Sequence, residues 1–300
     1  MTQTKEDTRV QPAVAPAPTI EKPRRAEKRA FVIRPAPRWP HLDFGELWHY
    51  REVLWTIVWR DIKVRYKQTF LGVAWAVLVP AFTATVYVIV FGKFARFPSG
   101  NTSYPSLVVA GVIPTQYFAS AMTAASLSLV TNLALVTKVY FPRVLLPFAA
   151  VLTPIVDFFV GLPVLLVLMA MYGTWPQGVQ VLAAPAFLFL ALVTALGAGF
   201  FLASLNVRYR DVPYAIPVFL QVLPLVSGVM YAVDQLPGKW QWVLSLNPIT
   251  TVIAGWRWAV LGAPEPNWAH ASVGVGVSIL IFLVGLTVFR TSEPRFADTI

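Results

Sequence analysis

Charge is distributed along this chain in blocks. Five long stretches contain no Asp, Glu, Lys or Arg: 68 to 92, 97 to 137, 158 to 207, 212 to 233 and 266 to 289. A helix needs about 20 mostly apolar residues to cross the hydrocarbon of a bilayer. Each stretch has room for one span, and 158 to 207 has room for two, divided by the turn-forming run Gly173, Thr174, Trp175, Pro176, Gln177 and Gly178. A further apolar run, interrupted only by Asp157, precedes that turn. The pattern predicts an all-α integral membrane protein with six spans near 70–91, 105–130, 146–171, 180–205, 214–231 and 269–289, within a domain covering 69–290.

A different periodicity precedes the first span. Glu46, His49, Glu52, Thr56, Arg60, Lys63 and Lys67 recur every three or four residues, which places them on one stripe of a helix. Leu47, Trp48, Leu54, Trp55, Val58, Trp59 and Ile62 fall on the opposite face, and tryptophans suit a headgroup boundary. Residues 41–68 are therefore expected to form an amphipathic helix lying along the membrane. Arg51 and Arg65 land on its apolar side, where each must snorkel to water or find an acidic partner. Residues 1–40 are rich in Pro, Ala and charge and lack an apolar run, so they cannot recover the entropy of ordering. They are expected to be a disordered cytoplasmic arm, and nothing before Phe31 offers the core of a cleaved signal peptide.

Composition narrows the possibilities. With 57% hydrophobic and 13% charged residues and a mean hydropathy of +0.63, the chain cannot clothe a water-soluble surface. The net charge of +10 comes with 14 of the 24 basic residues placed before the first span, where anionic membrane lipids rather than nucleic acid are the expected partner. Counted on alternate sides of the six spans, 20 basic residues fall on the side of the termini and 4 on the other, which puts both termini in the cytoplasm. The absence of Cys excludes thiolate chemistry, and three scattered His make a metal centre improbable. No phosphate-binding loop occurs: Gly92-Lys93 is followed by Phe94, and Gly238-Lys239 by Trp240. No GxSxG elbow, HExxH pair or close pair of carboxylates lies in the apolar region. Energy for any work must come from a partner or a gradient.

Two features of the apolar region invite chemistry. Asp157 is the one ionisable residue between Val144 and Val207, just after Pro154, and has no visible partner. It is a candidate for a functional role within the membrane or for a hydrogen-bonded role in helix packing. The segment 232–268 is the longest connection on the outer side and carries Trp240, Trp242, Trp256, Trp258 and Trp268. Asn247 followed by Pro248 is a helix start, a capping side chain ahead of a proline at the first position. A helix from Pro248 to Leu261 would rise about 21 Å, too short to cross, and is expected to dip into the outer leaflet or lie on it.

Five motifs in order carry a resemblance: WRDIKVRYKQTFLGVAWAVLVP (59 to 80), KVYFPRVLLP (138 to 147), NVRYRDV (206 to 212), LNPIT (246 to 250) and EPRFADTI (293 to 300). Over residues 42 to 300 the chain resembles the membrane subunit of type 2 ABC exporters, and within them the permeases for O-antigen, teichoic acid or capsular polysaccharide. The resemblance implies a homodimer of six-span subunits exporting a lipid-linked polysaccharide across a bacterial inner membrane. Each subunit would dock on a separate nucleotide-binding subunit that binds ATP and Mg, leaving this chain without a cofactor or catalytic residue of its own. It further implies that Arg60, Asp61, Arg65, Tyr66 and Lys67, then Lys138, Phe141, Pro142 and Arg143, and then Arg208, Tyr209, Arg210 and Asp211 transmit nucleotide-driven motion. Ordinary positive-inside topology accounts for the same charges without such a role. Tyr87, Phe91, Tyr117, Phe118, Phe219 and Tyr231 become candidates for an aromatic channel over which sugars slide. The helix headed by Asn247 and Pro248, with Trp256 and Arg257, would form an outer gate, and 291–300 a cytoplasmic tail. A drug or lipid exporter of the same architecture, a gradient-driven transporter using Asp157 and a membrane glycan polymerase are the alternatives.

Overall fold

Lipid offers no hydrogen bonds to the backbone, so each apolar block has to satisfy its own N–H and C=O groups as helix. The computed structural model describes residues 44–67, 72, 74–97, 102–139, 141–176, 178–209 and 211–296. The expected arm of 1–40, Arg210 and residues 297–300 of the tail lie outside the described residues. Among the described residues there is no strand.

Helix α1 (Phe44–His49) leads into α2 (Arg51–Lys67), and α3 (Ala74–Tyr87) continues as a π-helical segment, Val88–Phe94. Helix α4 (Tyr104–Thr131) is followed by the short α5 (Leu133–Lys138). The next span is two helices, α6 (Leu145–Leu152) and α7 (Ile155–Tyr172), parted at Thr153 and Pro154, where proline supplies no N–H. A 3₁₀ turn, Gly178–Ala183, opens α8 (Ala184–Arg208). After α9 (Val212–Val226) come α10 (Gly238–Ser245), α11 (Pro248–Leu261) and α12 (Trp268–Ser292).

Five helical segments are long and apolar enough to cross a membrane: Ala74–Phe94, Tyr104–Thr131, Leu145–Tyr172, Gly178–Arg208 and Trp268–Arg295. The predicted span at 214–231 is shorter than expected. Helix α9 stops at Val226, and Gly228 takes a left-handed φ of +75°, which turns the chain back.

Helix α8 packs between α4 and α12. The α8–α12 crossing is close enough that a Cβ on Gly285 would sit 1.9 Å from the carbonyl oxygen of Gly197, so only glycine fits there. Nearby, the Thr194 and Ser278 hydroxyls share a hydrogen bond of 2.7 Å. Asn206 Nδ2 donates to the Ser126 carbonyl at 2.9 Å, fastening α8 to α4. These pairings, with Phe200 against Phe289, run the three helices in one direction. Their C-terminal ends gather at what we call the α2 end, because Arg60 of α2 reaches Asn132 just beyond α4. Helices α3 and α7 run oppositely, with Thr83 beside Gln116 and Phe158 beside Tyr117.

Helix α11 has the bounds that its cap predicts, but its surroundings differ from the expectation of a helix at the lipid surface. Eleven of its fourteen residues are buried, and it packs against α4, α8 and α12. A Cβ on Gly255 would lie 2.0 Å from the ring of Phe187, so this contact too depends on glycine. Apolar positions recur round α11, and tertiary neighbours cover most of it.

Candidate functional site

Helix α2 seats on the bundle through part of its apolar face. Ile57 and Val58 are buried, with Tyr50, Leu54 and Ile62 packed beside them, and the helix lies against α6. Trp48, Trp55 and Trp59 of the same expected face are exposed, the last two in edge contact at 5.8 Å. The apolar face thus divides into a strip that holds the protein and a strip of indoles pointing away. Arg51 donates to the Trp48 carbonyl at 3.1 Å and lies over its ring, so it finds a local partner.

Arg65 finds the acidic partner that its position demands. Its Nη2 lies 2.7 Å from Oδ2 of Asp157, and the Tyr66 hydroxyl donates to the other oxygen of the same carboxylate. Asp157 sits in the first turn of α7, where a carboxylate also complements the helix dipole. Burial, then the hydrogen bond and charge of Asp157, push the Tyr66 phenol well above its ordinary pKa, so it stays a neutral donor. The cluster borders a cavity of about 330 Å³ shared with Gln116, Tyr117 and Ser120 of α4 and with Trp75 of α3. One carboxylate therefore ties the end of α2 to α7 beside two further helices.

Other predicted residues gather at this end. Arg60 bonds Asp61 at 2.8 and 2.9 Å and Asn132 at 2.6 Å. Phe141 and Pro142 are buried, and Arg143 bonds Glu293 through both its backbone N–H and its guanidinium. The Arg143–Glu293 contact joins the 138–147 motif to the 293–300 motif, and Glu293 also pairs with Arg290 at 3.0 Å. Lys67, Lys138, Arg208, Tyr209 and Asp211 are exposed, with the Arg208 guanidinium over the Tyr209 ring.

The opposite end is organised by Arg257. This guanidinium is 5% exposed and donates to four backbone carbonyls, those of Leu107 (3.0 Å), Gly228 (2.8 Å), Val229 (2.6 Å) and Tyr231 (3.1 Å). It binds α11 to the first turn of α4 and to the turn beyond α9, whose carbonyls it supplies with donors. Burial pulls its pKa down to about 9, against the opposing influence of Tyr104 and Asp234, and it remains charged at neutral pH. Tyr104 adds a hydrogen bond of 2.8 Å to the Met230 carbonyl. Asn247 caps α11 by accepting from the Ile249 N–H at 3.1 Å, and its amide reaches Ser227 Oγ at 2.7 Å. Trp256 is buried with its ring 5.1 Å from that of Phe158. Among the described residues no group of three or more His, Cys, Asp or Glu could hold a metal ion.

A model of the family described as "ABC-2 type transporter" matches residues 52–261. The chain belongs to this family. The O-antigen export system permease protein RfbA of Klebsiella pneumoniae is 28% identical over 247 residues, covering 82% of this chain and 94% of that protein. The protein of the same name from Myxococcus xanthus is 27% identical over 257 residues, covering 85% and 98%. The polysialic acid transport protein KpsM of Escherichia coli is 22% identical over 240 residues, covering 78% and 91%. As an ABC-2 chain with five long apolar helices, this is a multi-pass membrane protein.

The aromatic candidates in this ABC-2 chain divide into three sets. Tyr87, Phe91 and Tyr231 join through Phe97 in a row with centroid spacings of 6.1, 5.4 and 6.4 Å. Tyr117 and Phe118 are buried inside the subunit, where Tyr117 packs against Phe158. Phe219 is exposed on α9 beside an apolar groove, away from the row. Phe97, Asn132 and Glu293 escaped selection on sequence. Glu293 could have been found, since it opens the tail motif, whereas Asn132 and Phe97 carry no local signal.

Proposed function

We propose that this chain is the membrane permease subunit of an ATP-driven exporter that moves a lipid-linked polysaccharide outward across a bacterial inner membrane. The observation that carries this is the likeness, over 78–85% of the chain, to ABC-2 proteins whose names specify O-antigen export and polysialic acid transport. Helix α9 serves as the sixth span: its fifteen residues rise about 22 Å, and the turn that Arg257 holds supplies the remainder of the crossing. Both termini lie in the cytoplasm, with α2 at the inner boundary and α11 toward the outside as a gate element, in keeping with the excess of basic residues. The working unit is a homodimer, each copy docked on a nucleotide-binding subunit that carries ATP and Mg.

In this proposal ATP-driven closure of the partner subunits moves α2, and the motion enters the membrane through Arg65, Tyr66 and Asp157. The exposed Lys67, Lys138, Arg208, Tyr209 and Asp211, with Arg210, offer contacts to the partner. Arg60 and Arg143 face inward to Asn132 and Glu293 and stiffen the same end. Asp157, engaged by an arginine and a tyrosine, suits mechanical coupling better than proton carriage, which favours an ATP-driven exporter over a gradient-driven one. The row Tyr87, Phe91, Phe97 and Tyr231 is a short sliding surface for sugar near the outer end.

Affinity purification from native membranes in mild detergent tests this. A nucleotide-binding subunit should copurify in stoichiometric amount with ATPase activity, and deletion of the chain should abolish surface polysaccharide. A chain that emerges alone and without ATPase activity from several mild detergents contradicts it.

A further inference from the structure

Between α10, α11 and the start of α12 lies a cleft of about 120 Å³, lined by Asp234, Gln241, Thr250, Arg257, Glu265 and His270 among others. Roughly 150 Å³ is enough to enclose one six-membered ring, so this slightly smaller, partly open cleft takes most of a ring with the remainder toward solvent. Its wall mixes hydrogen-bonding groups with apolar patches such as Leu107, Ile253 and Pro266. One group in it lacks a partner. The Thr250 side chain is 5% exposed, and its Oγ1 makes no hydrogen bond among the described residues. An orphaned buried hydroxyl is destabilising, and a ligand hydroxyl that reaches it would satisfy it.

The charges around the cleft select the ligand class. Asp234 and Glu265 disfavour phosphate or a carboxylate, while the Arg257 guanidinium disfavours a cation. A neutral molecule bearing several hydroxyls, able to donate to carboxylates and accept from a threonine, meets both conditions. Two indoles behind the wall hold two of its residues in place: Trp242 lies edge-on to His270 at 4.4 Å, and Trp268 donates from Nε1 to Glu265 at 2.6 Å.

We propose that this cleft binds one neutral sugar unit of the exported glycan as it leaves the membrane, an assignment that rests on the export function proposed above. Thr250 and Asp234 are its hydrogen-bonding groups.

Saturation-transfer NMR on the chain assembled with its nucleotide-binding subunit in nanodiscs tests the cleft. Galactose, mannose, N-acetylglucosamine and rhamnose are the probes, with glucuronate as a charged control. At least one neutral sugar should give saturation transfer, and Thr250→Val and Asp234→Asn should each lower it threefold or more. Thr250→Val should leave thermal stability unchanged or raised, because it removes an unpaired hydroxyl; a purely structural threonine would move stability and not the sugar signal. The proposal is overturned if no neutral sugar gives a signal, if neither variant lowers it, or if glucuronate gives the stronger one. Sugar binding in a chain that exports no glycan supports the cleft and refutes the export function; export with no sugar signal refutes the cleft alone.

Discussion

Arg65 and Arg257 stand at opposite ends of the same bundle and are held by opposite means. Arg257 is almost wholly buried and donates to backbone carbonyls drawn from α4 and from the turn beyond α9, with one edge on the cleft beside α11. Arg65 keeps 41% of its side chain exposed and faces a carboxylate that is itself 20% exposed. Carbonyls of a folded backbone cannot leave without unfolding, so the first arrangement is a fixed staple. A half-exposed ion pair can exchange its partner for water at small net cost, so the second can open and close. The difference makes the α11 end the more firmly held of the two, which suits the drive from the α2 end proposed above.

Substitution at each arginine separates the two roles. The largest effect is expected for Arg257→Met, which takes the donors from three carbonyls of the turn beyond α9 and cuts its tie to α4, and should cost about 3–5 kcal/mol. It should appear as a sharp fall in the thermal unfolding temperature of the detergent-solubilised chain and in its abundance in the membrane. Arg65→Met and Asp157→Asn should cost far less stability, about 1–2 kcal/mol, because water reaches what is left behind. Both should nonetheless lower polysaccharide export tenfold or more while the complex with the nucleotide-binding subunit still assembles, as measured by copurification and surface glycan. Glu293→Gln should come next, at about 1 kcal/mol, since it weakens the Arg290 pair while the Arg143 guanidinium keeps its bond to the backbone carbonyl of residue 293. Tyr66→Phe should be smallest in stability, about 0.5–1 kcal/mol, with a partial loss of export. Equal losses of stability in Arg65→Met and Arg257→Met would dissolve the distinction.

Local chemistry made much of this architecture legible in advance. Charge-free blocks located the central helices closely, 105–130 against Tyr104–Thr131 and 269–289 within Trp268–Ser292, because lipid permits a single spanning chain little besides helix. The Asn247-Pro248 cap located the start of α11, and the structure ends the helix at Gly262, with φ of +66°. The seating of α11 was not legible. Thr250, Thr251 and Arg257 look like surface residues, yet all three are buried, Arg257 against α4 and the turn after α9 and Thr251 against Gly274 of α12. The partner of Asp157 lies about ninety residues earlier, and that of Arg143 is 150 residues later, so no spacing rule connects them. Arg65 came nearest to disclosing its pairing, because an arginine on an apolar face requires either water or a carboxylate.

The coupling role of the α2 end is tested most directly by charge exchange between Arg65 and Asp157, with polysaccharide export measured in cells and assembly with the nucleotide-binding subunit checked in parallel. Arg65→Asp and Asp157→Arg should each abolish export while the complex still forms, and the double exchange should restore a substantial part of it. Export unaffected by either single reversal, or no recovery in an assembled double variant, would contradict the account.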